Sequence, residues 1–328
     1  MRDELKIKLQ KAKQLEIKYK EAYASDDFEQ GKTLERQFLA LRQEILDEID
    51  AEVEAKKSIP LAVLRERQRN EPRPIPRETG IAKLDRELVP KKEYNGLKLG
   101  GFPLGNFIQL AGSPGSGKTS LFMKILSGFS KVEPVSWFNF EMSDEQVLEK
   151  LEAFDRVEKN ILYYNSGREL EEIIKEIKYL YADGVRHFVI DSAMKIRSKG
   201  KDGVELFMKI SDTLKELTSI LNINIYLINQ LSQADQKNGV LALKYGNAAE
   251  YDSDFIFYML KPILRDAAGK PILDEAGQVQ YDETKRFLKC HKNRAYDRLF
   301  TVEIDHSDIF GVEVVEETYK DEITMPYV

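Results

Sequence analysis

The run Gly112-Ser113-Pro114-Gly115-Ser116-Gly117-Lys118-Thr119, followed by Ser120, has the residue types of a phosphate cradle. It fits G-x-x-x-x-G-K-[ST], and it lies between an apolar strand-like run and a helical pattern, the context that gives the motif its meaning. Glycines let the backbone wrap so that its N–H groups converge on phosphate oxygens, and the helix that follows adds the positive end of its dipole. Lys118 is placed to reach the β- and γ-phosphates and Thr119 to ligate magnesium. The expected ligands are ATP and Mg2+.

Other residues extend this chemistry. HFVIDS closes an apolar strand with Asp191, a carboxylate at the end of the sheet where open α/β folds bind ligands, and a hard cation with few protein ligands suits it. Hydrolysis also needs a group that orients water. Glu141 is the candidate, because VSWFNFEMS ends the strand after the P-loop helix and projects it toward the same crevice. Gln230 closes INIYLINQ and could hydrogen-bond a γ-phosphate. Lys292 and Arg294, in KCHKNRAYDR, have two readings: charges that reach a neighbouring subunit's nucleotide, or surface charges on a hairpin. Lys195, Arg197, Lys199 and Lys201 form a local basic patch after Asp191, either a contact to a phosphodiester backbone or a solvated loop. His187, His291 and His306 show no paired metal spacing, so no zinc site is expected.

These residues need elements to hold them. NFIQLAG, VSWFNF, ILYYN, HFVIDS, INIYLIN and DFIFYML read as buried strands. Helical spacing occupies Lys118 to Gly128, Asp144 to Phe154, Glu169 to Tyr181 and Val204 to Leu221, with Ser143 and Gln146 set as a capping box. Such alternation implies α/β architecture with a largely parallel sheet covered by helices on both faces. The stretch from about 262 to 284 holds two Gly-centred turns and reads as an exposed hairpin; RFLKCHK and LFTVEID return as strands.

Residues 1–57 contain no proline and one glycine. Leu5, Leu9, Ala12, Leu15, Tyr19 and Tyr23 recur on one stripe, and Leu34, Phe38, Leu41, Ile45, Ile49 and Val53 repeat it after a polar break at Ser25-Asp26-Asp27 that can cap a second helix. This helical arm is either a device for oligomerisation or partner docking, or a cap on the main domain. Residues 58–78 read as a linker with a short helix, closed by the prolines of EPRPIPRETG; Leu61, Val63 and Leu64 could dock on a neighbour or on their own domain. The ATPase domain then runs over 79–328.

Composition sets outer limits. Hydrophobic residues make up 42% and charged residues 32% of 328 positions, which excludes general disorder. No run approaches the roughly 18 to 20 apolar residues of a membrane helix, so no membrane partner and a cytoplasmic location are expected. Cys290 is the single cysteine and reads as a small buried hydrophobe. A net charge of −6 argues against coating nucleic acid by bulk charge, so any such contact must be local, as a basic channel lining would be.

Taken in order, the motifs resemble those of the RecA-like ATPase superfamily, and within it the branch of DnaB-type replicative helicases, with RadA and KaiC proteins as relatives. TGIAKLD followed by GGFPLGNFIQLAGSPGSGKTSL looks like the entry of RadA- and KaiC-type domains. FNFEMSDEQV, HFVIDS, INQLSQ and CHKNRAYDR resemble the DnaB-type catalytic glutamate, Walker B, glutamine and arginine-finger motifs. The likeness covers about residues 79 to 310. It implies Glu141 as catalytic base, Gln230 as γ-phosphate sensor, and Lys292 with Arg294 acting across a subunit interface. The loops near 194–203 and 232–246 look like those lining the channel of ring helicases.

The resemblance therefore implies a DnaB-like helicase or translocase on single-stranded DNA, working in DNA replication as a homo-oligomer, a hexameric ring, with ATP hydrolysed between subunits. The alternatives are a RecA-, RadA- or KaiC-like ATPase that assembles on DNA or protein without unwinding, and an ATP-switched scaffold whose arm recruits a partner. Three departures stand out. Residues 1–57 do not resemble the usual N-terminal helicase domain that meets primase, Gln233 stands where helicases often carry arginine, and the stretch 262–284 looks inserted.

Overall fold

The computed structural model describes residues 3–57, 60–70, 76–88, 100–152, 160–232, 241–244, 247–296 and 298–305. Gln233, His306 and most of the 232–246 loop therefore lie outside the described residues. By backbone contacts the chain divides into two compact units, one of residues 1–72 with 169–186, the other of residues 73–168 with 187–328.

The first unit is helical. Helices α1 (Asp3–Ala24) and α2 (Phe28–Lys56) pair along the stripes expected of them, burying Leu5, Leu9 and Ala12 from one and Phe38, Ile45, Ile49 and Val53 from the other. Asp27 caps α2 by accepting from Gln30 N at 3.1 Å, and Asp26 turns the chain with φ of 62°. α3 spans Leu61–Asn70 and leaves Leu61 exposed. The contact division also brings α7 (Leu170–Ala182) into this unit. Charged pairs stitch it to the arm: Arg42 meets Glu176 and lies 4.9 Å from the Tyr179 ring centroid, Lys178 meets Asp50, and Lys13 reaches Asp183 at 2.6 Å.

The second unit is built on a sheet. Its strands, among the described residues, are β1 (Phe107–Gly112), β2 (Val135–Asn139), β3 (Ile161–Tyr164), β4 (His187–Asp191), β5 (Asn224–Gln230), β6 (Phe255–Leu260), β7 (Lys285–Asn293) and β8 (Phe300–Asp305), in spatial order β3-β2-β4-β5-β1-β6-β7-β8. β1 to β6 run parallel, and β7 and β8 turn back antiparallel at one edge. The central parallel strands are buried along their length, which is why they read as continuous apolar runs without alternation. Between the strands come α4 (Ala82–Glu87, ahead of β1), α5 (Lys118–Ser130), α6 (Asp144–Glu152), α8 (Gly203–Leu221) and α9 (Asn247–Asp252). α5 and α8 lie against the sheet, and Phe102, Phe122, Tyr226, Phe255 and Phe257 join edge to face beneath α5. No helix among the described residues is long and apolar enough to cross a membrane.

The stretch 262–284 is more than a hairpin. Leu264 N donates to Gln280 O, Gln280 N to Ile272 O and Ile272 N to Leu264 O, at 2.8 to 3.0 Å, so three short segments close a ring of backbone bonds. Asp266, Asp274 and Asp282 recur every eight residues, and each accepts backbone N–H groups of the turn it opens.

Candidate active site at the P-loop

The parallel register places several strand ends together. Gly112 on β1 lies beside Gln230 on β5 and Met259 on β6, and Asn139 on β2 lies beside Asp191 on β4. Side chains just beyond these positions share the carboxyl end of the sheet, where such folds bind ligands.

The loop itself is shaped by glycine. Gly115 and Gly117 take φ of 70° and 95°, values that residues with a β-carbon rarely adopt. Gly112 is needed for a different reason, since a β-carbon there would come within 2.7 Å of Met259 O. Arg286, buried on β7, steadies the crown by donating Nε to Ser116 O at 3.1 Å. Lys118 opens α5 and donates to Gly112 O and Ser113 O at 3.0 and 2.9 Å. Burial lowers its pKa, against the opposing charges of Asp191 and Glu141.

Thr119 Oγ1 donates to Asp191 Oδ2 at 2.6 Å. Asp191 is fully buried, and its Oδ1 has no hydrogen-bond partner among the described residues. Burial, with the Glu141 charge adding to it, raises its pKa to about 6, although the Thr119 bond and Lys118 pull the other way. A buried carboxylate with a spare oxygen beside a threonine hydroxyl fits a hard divalent cation, so Thr119 and Asp191 could hold magnesium.

Glu141 reaches the same place. Asn139 Oδ1 accepts Glu141 N at 3.3 Å and Met142 N at 3.0 Å, an Asx turn that bends the chain as β2 ends. The Glu141 carboxylate accepts from the Ser192 hydroxyl, and Ser192 follows Asp191 through a cis peptide bond. Ser143 and Gln146 form the reciprocal cap at the start of α6, at 3.1 and 3.3 Å.

Lys118, Thr119, Asp191 and Glu141 are thus brought together, with Gln230 at the adjoining strand end. Past Gln230 the chain folds back, Gln230 O accepting Lys244 N at 2.8 Å. Lys292 and Arg294 are elsewhere. Asn293 pairs with Phe255 at the start of β6, whereas Gly112 pairs with Met259, and four strand residues separate those levels by roughly 13 Å. At that opposite end Lys292 Nζ donates to Glu250 O and Tyr251 O, and Arg294 Nη2 to Tyr251 O, all at the end of α9. A cavity of about 280 Å³ opens there, lined by Glu250, Tyr251, His291 and Lys292.

In the basic loop, Lys195, Arg197 and Lys199 are exposed, while Lys201 pairs with Glu205. Cys290 is buried, its thiol pushed up to about 12 by that burial.

Supports that the residue patterns did not reveal are Asn139, Ser192 and Arg286. Asn139, an asparagine closing a strand two residues before Glu141, carries a turn signal. Arg286 has none, since it meets Ser116 across 170 positions.

Comparison with known proteins fits this layout. No family model matches the chain. DNA repair protein RadA of Streptococcus pneumoniae (strain ATCC BAA-255 / R6) is 23% identical over 163 residues, 48% of this chain and 37% of RadA, so the chain spans little more than a third of that relative. Among solved structures, the ATPase domain of a DnaB-like helicase superposes with a TM-score of 0.58 at 18% identity, covering 78% of this chain and 97% of that domain. A DnaB-like replicative helicase, solved for its interactions with primase, gives 0.54 at 17% identity, covering 84% of this chain and 79% of the other. The second unit, with its P-loop between β1 and α5, therefore carries the RecA-like fold of DnaB-like helicase ATPase domains.

Proposed function

We propose that this protein is an ATPase that works as a DnaB-like helicase or single-stranded DNA translocase, with ATP held between the subunits of a ring so that a second copy completes each catalytic set. The observation that carries the ATPase reading is the convergence of Lys118, the Thr119–Asp191 pair and Glu141 on one strand end. On nucleotide binding, Lys118 exchanges the carbonyls of Gly112 and Ser113 for phosphate oxygens, and the loop amides hold the rest of the phosphate chain. Magnesium, held through Thr119 and Asp191, would supply charge neutralisation at the β- and γ-oxygens. Glu141 exchanges the Ser192 hydroxyl for a water molecule, orients it and accepts its proton. Gln230 senses the γ-phosphate, and its backbone bond to Lys244 passes that state to the loop beyond.

Lys292 and Arg294 cannot serve the site of their own chain across the length of the sheet, which supports their acting on a neighbour's nucleotide. Lys195, Arg197 and Lys199, exposed just past Asp191, are the residues assigned to the DNA backbone, with Lys201 at the loop's end. The domain division proposed is an arm over 1–57, a linker over 58–78 and the ATPase domain over 79–328.

The test is magnesium-dependent ATP hydrolysis by the purified chain, with and without single-stranded DNA, alongside strand displacement on a forked duplex. Stimulated hydrolysis with displacement is expected. Failure to bind any nucleoside triphosphate would sink the reading. The match to RadA favours a second reading, an ATPase that assembles on DNA without unwinding it, and stimulated hydrolysis without displacement would select that one.

A further inference from the structure

Arg286 is only 3% exposed, and each guanidinium nitrogen has a fixed partner. Besides Nε on Ser116 O, Nη1 donates to Asp282 O at 3.1 Å and Lys285 O at 2.7 Å, and Nη2 to Glu283 Oε2 at 2.7 Å. The guanidinium thus ties the crown of the P-loop to the segment that leads into β7. Glu283 is shared with a second cation: Lys261 Nζ donates to Oε1 at 2.9 Å and Oε2 at 3.1 Å. Lys261 directly follows β6, at the carboxyl end of the sheet, and a β-carbon on Gly115 would lie 3.9 Å from its ammonium.

An ion pair on the surface would be the ordinary explanation. The burial is lopsided, however, with the Lys261 side chain 19% exposed and Glu283 63% exposed. The ammonium is therefore kept against the phosphate loop, while its carboxylate partner faces water.

We propose that Lys261 is a second phosphate-binding cation of the nucleotide site, held by Glu283 until a nucleoside triphosphate enters, with Arg286 as the positioning residue that keeps the loop crown beside it. This deepens the ATP reading and rests on it. A pair with a largely exposed carboxylate is weak and exchangeable. A triphosphate concentrates several negative charges in the loop, and lysine, a point charge on a flexible stem, can turn to it by rotation of its own side chain.

The test is equilibrium binding of ATP and ADP with magnesium to the full chain, comparing wild type with Lys261→Gln, Lys261→Arg and Glu283→Gln. Lys261→Gln is expected to weaken ATP binding about tenfold, as loss of one charge-assisted contact should. Lys261→Arg should recover most of that affinity, and Glu283→Gln should bind at least as tightly as wild type. Unchanged ATP affinity in Lys261→Gln would overturn the proposal. So would a loss in Glu283→Gln equal to that in Lys261→Gln, because the pair would then be a structural brace. A wild-type chain that binds no nucleotide removes the ATP reading and this inference together, whereas tight wild-type binding with an indifferent Lys261→Gln removes the inference alone.

Discussion

The two ends of the sheet carry charged groups under opposite conditions. At the carboxyl end, Asp191 is buried with an unmatched oxygen and a pKa raised to about 6, and burial lowers that of Lys118. At the amino end, Lys292 and Arg294 rest on carbonyls of the last turn of α9, which suit cations because the helix dipole ends there negative. One end is stressed and shaped for a ligand; the other is satisfied in the absence of one. Under the proposed function the ends are the two halves of a single catalytic centre, which meet only when one copy's amino end faces another's carboxyl end.

The largest effect should come from separating those halves. Arg294→Ala is expected to lower kcat by about 10³ or more, the range for a finger that stabilises transferring phosphate, with ATP affinity nearly unchanged. Mixed with wild type, it should depress turnover out of proportion to its fraction. Simple dilution in that titration would mean that each chain works alone, and the comparison of ends would lose its point. Glu141→Gln strikes the other half. Turnover should fall about 10² to 10⁴-fold while ATP and magnesium still bind, as single-turnover and equilibrium measurements on one preparation would report.

The two ends also differ in how far the residue pattern reveals them. The P-loop is contiguous, so its chemistry and its strand and helix flanks are legible in one reading from Asn106 to Ser130. Asp191 and Glu141 are legible because each terminates an apolar run, and a parallel sheet collects such ends on one side. The position of Lys292 and Arg294 depends on β7 running antiparallel to β6, a reversal that no local pattern announces. The Arg286 brace and the backbone ring of 264, 272 and 280 depend on tertiary contacts in the same way. For α7, amphipathic spacing marks the helix, but only the folded structure groups it with α1 and α2.

A smaller effect measures the stress at the carboxyl end. The folded-state pKa of Asp191 is about 6 against an ordinary 3.8, so its contribution to stability is fully present below about 3.8 and is lost as pH rises through 6. The full shift corresponds to an upper figure of about 3 kcal/mol, reduced in practice by the loss of the charged bond from Thr119. Asp191→Asn should therefore raise the nucleotide-free melting temperature at pH 8 by a few degrees, and by much less at pH 5, while abolishing metal-dependent nucleotide binding. A melting difference that stays constant across this range would show that the buried carboxylate is not under the stress assigned to it.

The smallest effect belongs to the amino end, where Asp254 Oδ2 accepts from Phe107 N at 2.8 Å and Lys215 Nζ at 2.6 Å, and Oδ1 lies 3.9 Å from Arg294 Nη1. Asp254→Asn keeps one acceptor oxygen but loses the charge, which should cost about 1 kcal/mol and lower Tm by about 2 to 4 °C. Because Arg294 retains its bond to Tyr251 O, kcat should fall only a few-fold, and ATP affinity should not move. If ATP affinity fell with it, a disturbance at one end of the sheet would be reaching the other within a single chain, and the two ends would have to be treated as one coupled site.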